Sequence, residues 1–376
     1  MLVVNGTRML VGYTLGLRPD GRECVVVVVK GTFDLPFDRP QAGSEVALSA
    51  QQAPFVLSDE FSGAPGVSAP LRESDFAPEK PNCDVLLIGS AHAPGGRPAT
   101  RVTVSMQAGA MKKSFDVVGD REYGKSFLSV SPQSSRPFTA MPITYDRAYG
   151  GVDSDTEKPD KVRSFGPNPV GVGFYPYAKP NELVGKRLPN TEESGSPVTS
   201  PTGEYRAMSF GPVGRNFVPR AALAGTYDQD WLDNVFPFLP ADFDPRYYQS
   251  APPDQQIPYP SGGETFEMVN LTPHGRLAFR LPSAEVPIEF TLSSGKRTDL
   301  PANLDTVFIE SDSGRVMLSW RASIPVSQGL PEVKECVVGR MPEGWYHARR
   351  LGKTYYPSIQ HLSAARRKSR LEEDAS

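Results

Sequence analysis

The chain has 376 residues and a formal net charge of −3 at pH 7, which gives no electrostatic indication of nucleic-acid binding. Its hydrophobic fraction of 39% is ordinary for a globular protein, and its length allows one large domain or two smaller ones. The 38 prolines and 34 glycines follow no collagen-like period, and they predict many turns and few long helices.

The cysteines and the N-terminus bear on where the protein works. Cys24, Cys83 and Cys336 are odd in number and far apart, which argues against a disulfide framework and a metal cluster. Residues 1–6 lack the positive region of a secretory signal peptide. The longest apolar run, residues 24–29, is too short to cross a bilayer. We therefore expect a protein of the reducing cytoplasm that is not inserted in a membrane.

The first third of the chain predicts β-strands. Residues 24–34 read CVVVVVKGTFD after a Pro-Asp-Gly turn, and the continuous valines predict a strand that is buried on both faces. Residues 84–92 predict a second strand. Residues 101–106 and 112–118 alternate apolar and polar side chains and have a glycine between them. This pattern predicts a hairpin with one face toward solvent.

The middle of the chain, residues 142–256, is the most informative part. Short phrases of aromatic residues, Gly and Pro follow one another with almost no periodic pattern. Disordered segments are poor in aromatic residues, so this one predicts an ordered but irregular platform. Residues 192–203 resemble a linker and are expected to form a mobile loop. We expect seven aromatic side chains of the platform to be largely buried: Tyr145, Tyr149, Phe165, Phe174, Phe210, Trp231 and Phe236.

Helical signals are few, and strands return toward the C-terminus. Residues 228–235 predict a short helix that is capped by Asp228 and ends before Pro237. Residues 363–373 predict a C-terminal helix with mixed charges. Further strands are predicted at 267–271, 276–281, 288–292, 306–310 and 315–322, the last two joined by a hairpin turn at residues 312–314.

These elements predict a mainly β fold with sandwich-like antiparallel sheets, a long irregular middle segment rich in Pro, Gly and aromatic residues, and few helices. We expect one β-rich domain over residues 1–350, followed by a tail, residues 351–376, whose basic half is solvated. Within the domain we distinguish an N-terminal β lobe (about 1–135), the platform (about 140–260) and C-terminal strands (about 264–345).

The residues that could carry catalysis are scattered. The four histidines lie far apart, and none has a second ligand type at metal spacing. We predict that His274 is a turn residue between strands rather than a general base, and that Asp242 and Asp244 cap turns rather than bind a cation. Motifs for phosphate loops, dinucleotides and nucleophile elbows are missing. The sequence therefore predicts no enzyme, no metal site and no cofactor.

The phrase YDRAYGG, residues 145–151, differs in kind because it places opposite charges between two aromatic residues. It predicts either an Asp146–Arg147 ion pair that stabilises the platform or an arginine that anchors a partner protein. The two predictions do not exclude each other. Aromatic residues and Arg are enriched at the energetic centres of protein interfaces. Our candidate partner-binding residues are Tyr145, Arg147, Tyr149, Arg215, Tyr227 and Trp231.

Many phrases of this chain, in this order, resemble a bacterial family known as domain of unknown function 2169. The resemblance covers most of residues 20–322. It is carried by VVVVVKGTFDL, CDVLLIGSAHAPGG, VGDREY, YDRAYGG, NPVGVGF, LPN, FGPVGRNFVPR, AGTYDQDWLDNVFPFLPADFDPRYYQSAPPDQQ and LDTVFIESDSGRVMLSWRA.

The resemblance implies an adaptor or chaperone of type VI secretion. Such a protein would hold an effector in the cytoplasm and help to load it on the PAAR-type tip or VgrG-type spike of the secretion needle. Two alternatives of other classes stay open at this point. One is a hydrolase or transferase with its site in the platform, around His274 or Asp242, and the other is a structural component of a phage-like assembly.

Overall fold

The structure is a computed structural model that describes residues 1–40, 43–126 and 129–373. The fold is mainly β, with 37% strand and 13% helix. The strands are β1 (Leu2–Asn5), β2 (Leu10–Leu17), β3 (Glu23–Asp34), β4 (Ser44–Glu45), β5 (Ala47–Leu48), β6 (Glu60–Phe61), β7 (Pro70–Arg72), β8 (Cys83–His92), β9 (Arg101–Ala108), β10 (Met111–Val118), β11 (Tyr123–Lys125), β12 (Val130–Pro132), β13 (Ala140–Ile143), β14 (Tyr149–Gly150), β15 (Val152–Ser154), β16 (Val162–Ser164), β17 (Val172–Gly173), β18 (Thr191–Glu192), β19 (Gln256–Ile257), β20 (Thr265–Val269), β21 (Arg276–Arg280), β22 (Pro287–Leu292), β23 (Arg297–Pro301), β24 (Asn303–Glu310), β25 (Arg315–Val326) and β26 (Val333–Val338).

Helices are short except at the C-terminus. The α-helices are α1 (Pro180–Leu183), α2 (Val218–Ala221), α3 (Gln229–Asn234), α4 (Glu343–Arg350) and α5 (Ile359–Glu373). Single 3-10 turns occur at Pro94–Gly96, Tyr145–Arg147, Pro245–Tyr248, Pro253–Gln255 and Leu330–Glu332. In the part of the chain that the structure describes, no helix is both long and apolar enough to span a membrane.

Three larger sheets carry the fold. An eight-stranded sheet has the order β13-β8-β24-β25-β3-β2, with β19 also paired to β8 and β5 to β3. A six-stranded sheet has the order β18-β10-β9-β20-β21-β4, and a four-stranded sheet the order β1-β26-β22-β23. Most pairs are antiparallel, whereas β8–β24, β1–β26 and β4–β21 are parallel. Strands from both ends of the chain therefore interleave in the same sheet.

The sheets pack face to face around one large core. Val25, Val27 and Val29 of β3 point into it, together with side chains of the six-stranded and four-stranded sheets such as Phe266 and Phe290. The intervening Val26 and Val28 pack on the other face in a separate cluster. The prediction that β3 is buried on both faces is thus confirmed.

The predicted strands and both predicted helices are confirmed. The hairpin of β9 and β10 pairs over its whole length, and β24 pairs with residues 315–321 of β25 except at an irregularity between Leu304 and Thr306. Helix α3 begins after Asp228, whose side chain accepts a hydrogen bond from the Trp231 amide. Helix α5 covers the predicted C-terminal helix, with Arg366 and Arg367 exposed. Residues 374–376 of the predicted tail lie outside the described residues.

The platform is irregular as predicted, but its burial differs from expectation in two places. Four of the seven aromatic side chains are buried, and Phe165 and Trp231 are half-buried, whereas Phe236 is 62% exposed. The prediction for Phe236 is wrong because its ring packs on Trp231 of the same loop and stays largely in solvent. The prediction of a mobile loop at 192–203 is wrong at Glu192 and Val198, which are buried. The start of this segment is held in place because Glu192 lies in β18, which pairs with β10, and its carboxylate forms ion pairs with Arg101 and Arg121.

Candidate protein-binding surface

Residues 225–243 form a closed loop, which we call the aromatic loop. Its two ends are joined by Asp242, whose carboxylate accepts hydrogen bonds from the amide (2.9 Å) and the hydroxyl (2.8 Å) of Thr226. Gly225 has φ +81°, and a Cβ there would lie 2.8 Å from Pro240. A side chain at this position would therefore push the two ends apart. Compact surface loops with adjoining ends are frequently functional.

Trp231 organises the interior of the aromatic loop. Its indole Nε1 donates a hydrogen bond to the Phe238 carbonyl at 2.9 Å. Its ring meets the rings of Tyr227 and Phe236 edge to face, at centroid distances of 4.7 and 5.6 Å. This geometry is favourable for aromatic pairs. The loop is thus packed by its own side chains, and Trp231 remains half-buried.

The outer side of the loop leaves large apolar side chains in solvent. Tyr227 is 53% exposed, Leu232 53%, Phe236 62% and Phe238 48%. We call these four side chains, together with Trp231, the aromatic surface. Single exposed apolar residues are common on proteins, but a contiguous group marks an interaction site or a groove for a ligand. Five such residues within a twelve-residue stretch make this the candidate functional site.

The loop stands on a rigid base. Phe243 is buried and packs on Tyr247 and Tyr248, at centroid distances of 5.9 and 5.4 Å. Beneath them, the buried Arg220 donates to the Tyr247 carbonyl at 2.8 Å and to both carboxylate oxygens of Glu73. A buried guanidinium with a bidentate partner is held in one geometry. The base therefore presents the aromatic loop in a fixed position.

Carboxylates border the aromatic surface. Asp228 caps α3, and Asp230 and Asp233 accept hydrogen bonds from Asn234 and Gln229 at 2.7 and 2.9 Å. The amide and hydroxyl of Thr226 lower the pKa of Asp242 from its ordinary value. The four acidic side chains of the loop, Asp228, Asp230, Asp233 and Asp242, are all exposed.

Three of the six candidate partner-binding residues lie in this region. Tyr227 and Trp231 belong to the aromatic surface. Arg215 lies in the base, where its guanidinium is 5.9 Å from the Tyr247 ring centre and pairs with Asp59 at 2.9 Å.

The other three candidates lie elsewhere: Tyr145 and Tyr149 in the interior of the platform, and Arg147 half-buried between them in the sequence. Tyr145 is buried against Phe217, and Tyr149 is buried against Phe165, Phe174 and Tyr205. These two rings therefore face the protein's own core. Both tyrosines contribute to the packing of the platform interior.

The expected Asp146–Arg147 pair does not form. The carboxylate of Asp146 accepts hydrogen bonds from Thr144 and Ser62. Arg147 donates to the Asn190 side chain at 3.0 Å and lies 3.8 Å from the Asp120 carboxylate. The 3-10 turn at Tyr145–Arg147 separates the two side chains, because neighbouring residues in a helical turn point in different directions.

The residues weighed for catalysis lie in turns and at the end of the aromatic loop. His274 lies in the turn between β20 and β21, as predicted, and its ring is 5.0 Å from that of Phe37. Asp244 caps the 3-10 turn at Pro245–Tyr248, as predicted, whereas Asp242 closes the aromatic loop over a longer distance. Among the described residues, no group of three or more His, Cys, Asp or Glu side chains is arranged to hold a metal ion.

Sequence reasoning missed the exposed members of the surface, Leu232, Phe236 and Phe238. The signal was present in the phrase FPFLP, because alternating Phe and Pro cannot continue a helix or a central strand. It also missed the charges buried against one face of the eight-stranded sheet, such as the Lys80–Asp84 pair at 2.8 Å. Burial raises the pKa of Asp84, but Lys80 and hydrogen bonds from residues 249–251 outweigh it and lower the pKa overall.

The fold and the surface define a mainly β protein that presents an exposed aromatic loop on a rigid base. Comparison with known protein families shows which family the chain belongs to. It belongs to the family described as uncharacterized protein conserved in bacteria (DUF2169), whose model matches residues 20–321. The aromatic loop lies inside the matched range, and helices α4 and α5 lie beyond it. No curated protein and no solved structure matches this chain.

Proposed function

We propose that this protein is a cytoplasmic adaptor that binds a type VI secretion effector and helps to load it on a PAAR-type or VgrG-type spike protein. The observation that carries the proposal is the aromatic surface. Burying large apolar side chains against a partner is the main source of affinity in protein association. The resemblance of the chain's phrases to a secretion-associated family supplies the kind of partner.

The build of the surface supports binding of a protein rather than a small molecule. The side chains project outward from a loop instead of lining a cavity, and small-molecule sites are concave. Trp and Tyr are enriched at the energetic centres of protein interfaces, and in this surface Trp231 packs on Tyr227 and on Phe236. A fixed base reduces the entropy that is lost on binding.

Co-expression tests the proposal. The chain would be produced with each candidate effector and spike protein encoded beside its gene, and recovery of the complex and the soluble yield of the effector would be measured. We expect at least one neighbour to co-purify with the chain or to become more soluble. If none does either, the adaptor function is wrong.

A matched pair of variants locates the binding surface. Phe236→Ala should weaken the complex by about 30-fold, because an exposed aromatic residue at an interface centre contributes about 2 kcal/mol. Leu351→Ala, at a position of similar exposure (55% against 62%) outside the family range, should bind as the unmodified chain does. Equal binding by both variants would move the interface away from the aromatic loop.

Purified needle particles separate the adaptor from a structural component. An adaptor should be left behind when the particles are assembled and washed, whereas a structural component should remain with them. Immunoblotting of washed particles against the cytoplasmic fraction makes this distinction.

A further inference from the structure

The charges around the aromatic surface are unbalanced. Residues 225–243 contain four aspartates, Asp228, Asp230, Asp233 and Asp242, and no Lys, Arg, Glu or His. Within the described part of the chain, none of the four forms an ion pair; their hydrogen bonds come from neutral amides and hydroxyls of the loop itself. The loop therefore presents four negative charges and contains no cation of its own.

The arginines that adjoin the loop do not neutralise it. Arg246 pairs with Asp244 at 2.5 Å, and Arg215 pairs with Asp59 and Glu73. Phe238 lies beside Gly21 in the turn before β3, and there Asp20 pairs with both Arg22 at 2.6 Å and Arg18 at 3.7 Å. Each of these cations already has a carboxylate partner, so the negative charge of the loop is available to a ligand.

We propose that the aromatic surface binds a segment of the partner that presents apolar side chains flanked by Lys or Arg. This rests on the proposed function and names the chemistry of the partner. The rings of Trp231, Tyr227 and Phe236 accept apolar side chains, and their exposed faces also attract cations. The four carboxylates attract the same cations, which speeds encounter and disfavours acidic partners.

Three peptides test the charge preference directly. Each is a labelled 15-residue amphipathic peptide with the same Leu and Phe positions, and the polar positions are all Lys, all Gln or all Glu. Binding to the full chain would be measured by fluorescence anisotropy at low and at high salt. We expect the Lys peptide to bind most tightly and to weaken as salt screens the charges, and the Glu peptide to bind least.

Isosteric variants assign the preference to this loop. The double variant Asp230→Asn/Asp233→Asn keeps side-chain oxygens that can accept the hydrogen bonds from Asn234 and Gln229. We expect it to weaken the Lys peptide about tenfold and to leave the Gln peptide unchanged. The control is Asp160→Asn/Glu204→Gln, which neutralises two exposed carboxylates outside the loop and should change nothing.

Several results would overturn the inference. They are equal binding of the three peptides, no binding of the Lys peptide up to millimolar concentration, or an unchanged Lys-peptide affinity in the Asp230→Asn/Asp233→Asn variant. A second copy of this chain is another possible occupant, since residues 343–376 carry seven Lys or Arg against four Asp or Glu. Dimerisation in sedimentation experiments that Phe236→Ala abolishes would assign the surface to self-association instead.

The two proposals fail separately. If the peptides discriminate by charge but no neighbouring effector or spike protein co-purifies, the adaptor function is wrong and the surface chemistry stands. If an effector binds through Phe236 but the peptides do not discriminate, the function stands and the charge preference is wrong.

Discussion

The platform interior and the aromatic loop have the same kind of composition and opposite exposures. In the interior, Tyr145, Tyr149, Phe174, Phe210 and Phe217 are buried. In the loop, which begins eight residues after Phe217, Tyr227, Phe236 and Phe238 are exposed. Both stretches are rich in aromatic residues and proline. Composition therefore shows that rings are present, but it does not show which of them face solvent.

The difference follows from what satisfies the polar groups near the rings. In the interior, the Tyr149 hydroxyl donates to the Gly203 carbonyl at 2.8 Å, and the Asn168 side chain donates to the carbonyls of Tyr145 and Tyr149. These bonds tie distant segments together across the rings. In the loop, the bonds of Trp231 and Asp242 stay within the loop, so one side of it needs no cover from the sheets. Buried polar groups require such partners, whereas exposed ones are satisfied by water.

The largest expected effect comes from removing an interior ring. Tyr149→Ala should lower the free energy of unfolding by about 3–5 kcal/mol, because it opens a cavity among three other rings and removes the partly buried hydrogen bond to Gly203. Chemical denaturation measures the change. Phe236→Ala is the matched control in the loop and should cost less than about 0.5 kcal/mol. Equal losses in the two variants would break the distinction between interior and loop.

The next largest effect on stability concerns Lys113, a residue of β10 in the six-stranded sheet that binds the C-terminal end of the platform. The ammonium of this buried residue donates to Gln255 at 2.7 Å and to Asp254 at 3.1 Å. Burial lowers the pKa of Lys113 from 10.5 to about 8. Between these values the folded chain binds fewer protons than the unfolded chain, so this residue makes stability rise with pH.

Comparing variants isolates the contribution of Lys113. Relative to Lys113→Met, the unmodified chain should gain about 2 kcal/mol of unfolding free energy between about pH 7 and pH 9.5. Lys112→Met, at the exposed neighbouring position, should keep the pH dependence of the unmodified chain. Denaturation curves at several pH values measure the difference. An identical pH dependence in all three proteins would show that Lys113 is not buried as the structure has it.

Apart from the Phe236→Ala control, the smallest effect is expected for Arg147, whose side chain is more exposed than the interior rings and less exposed than Tyr227, Phe236 and Phe238. Its nearest carboxylate is Asp120 at 3.8 Å, and the two side chains are 30% and 55% exposed. Arg147→Ala should therefore cost only about 1 kcal/mol, since exposed ion pairs contribute little. Partner binding should be unchanged because the residue is outside the aromatic surface. Loss of binding with an unchanged melting temperature would instead extend the interface to Arg147.

Local pattern was sufficient for the nine strands that we predicted, but it missed β1, β2, β23 and β26 of the larger sheets. The valine run of β3, the alternation in β9 and β10 and the turn between β24 and β25 predicted elements that the structure contains at the same places. The Asp228 cap predicted where α3 begins. These features depend on backbone preferences and on side chains close in sequence, which the sequence displays directly.

The sequence by itself also determined the class of fold and the order of the platform, because aromatic content large enough to offset the entropy of folding can be counted. Only the tertiary structure decided how strands from both ends interleave, that Glu192 is buried between arginines, and that Phe236 faces solvent. These outcomes depend on contacts between residues far apart in the chain. Arg147 illustrates this, since its partners Asp120 and Asn190 lie 27 and 43 residues away and no local pattern connects them.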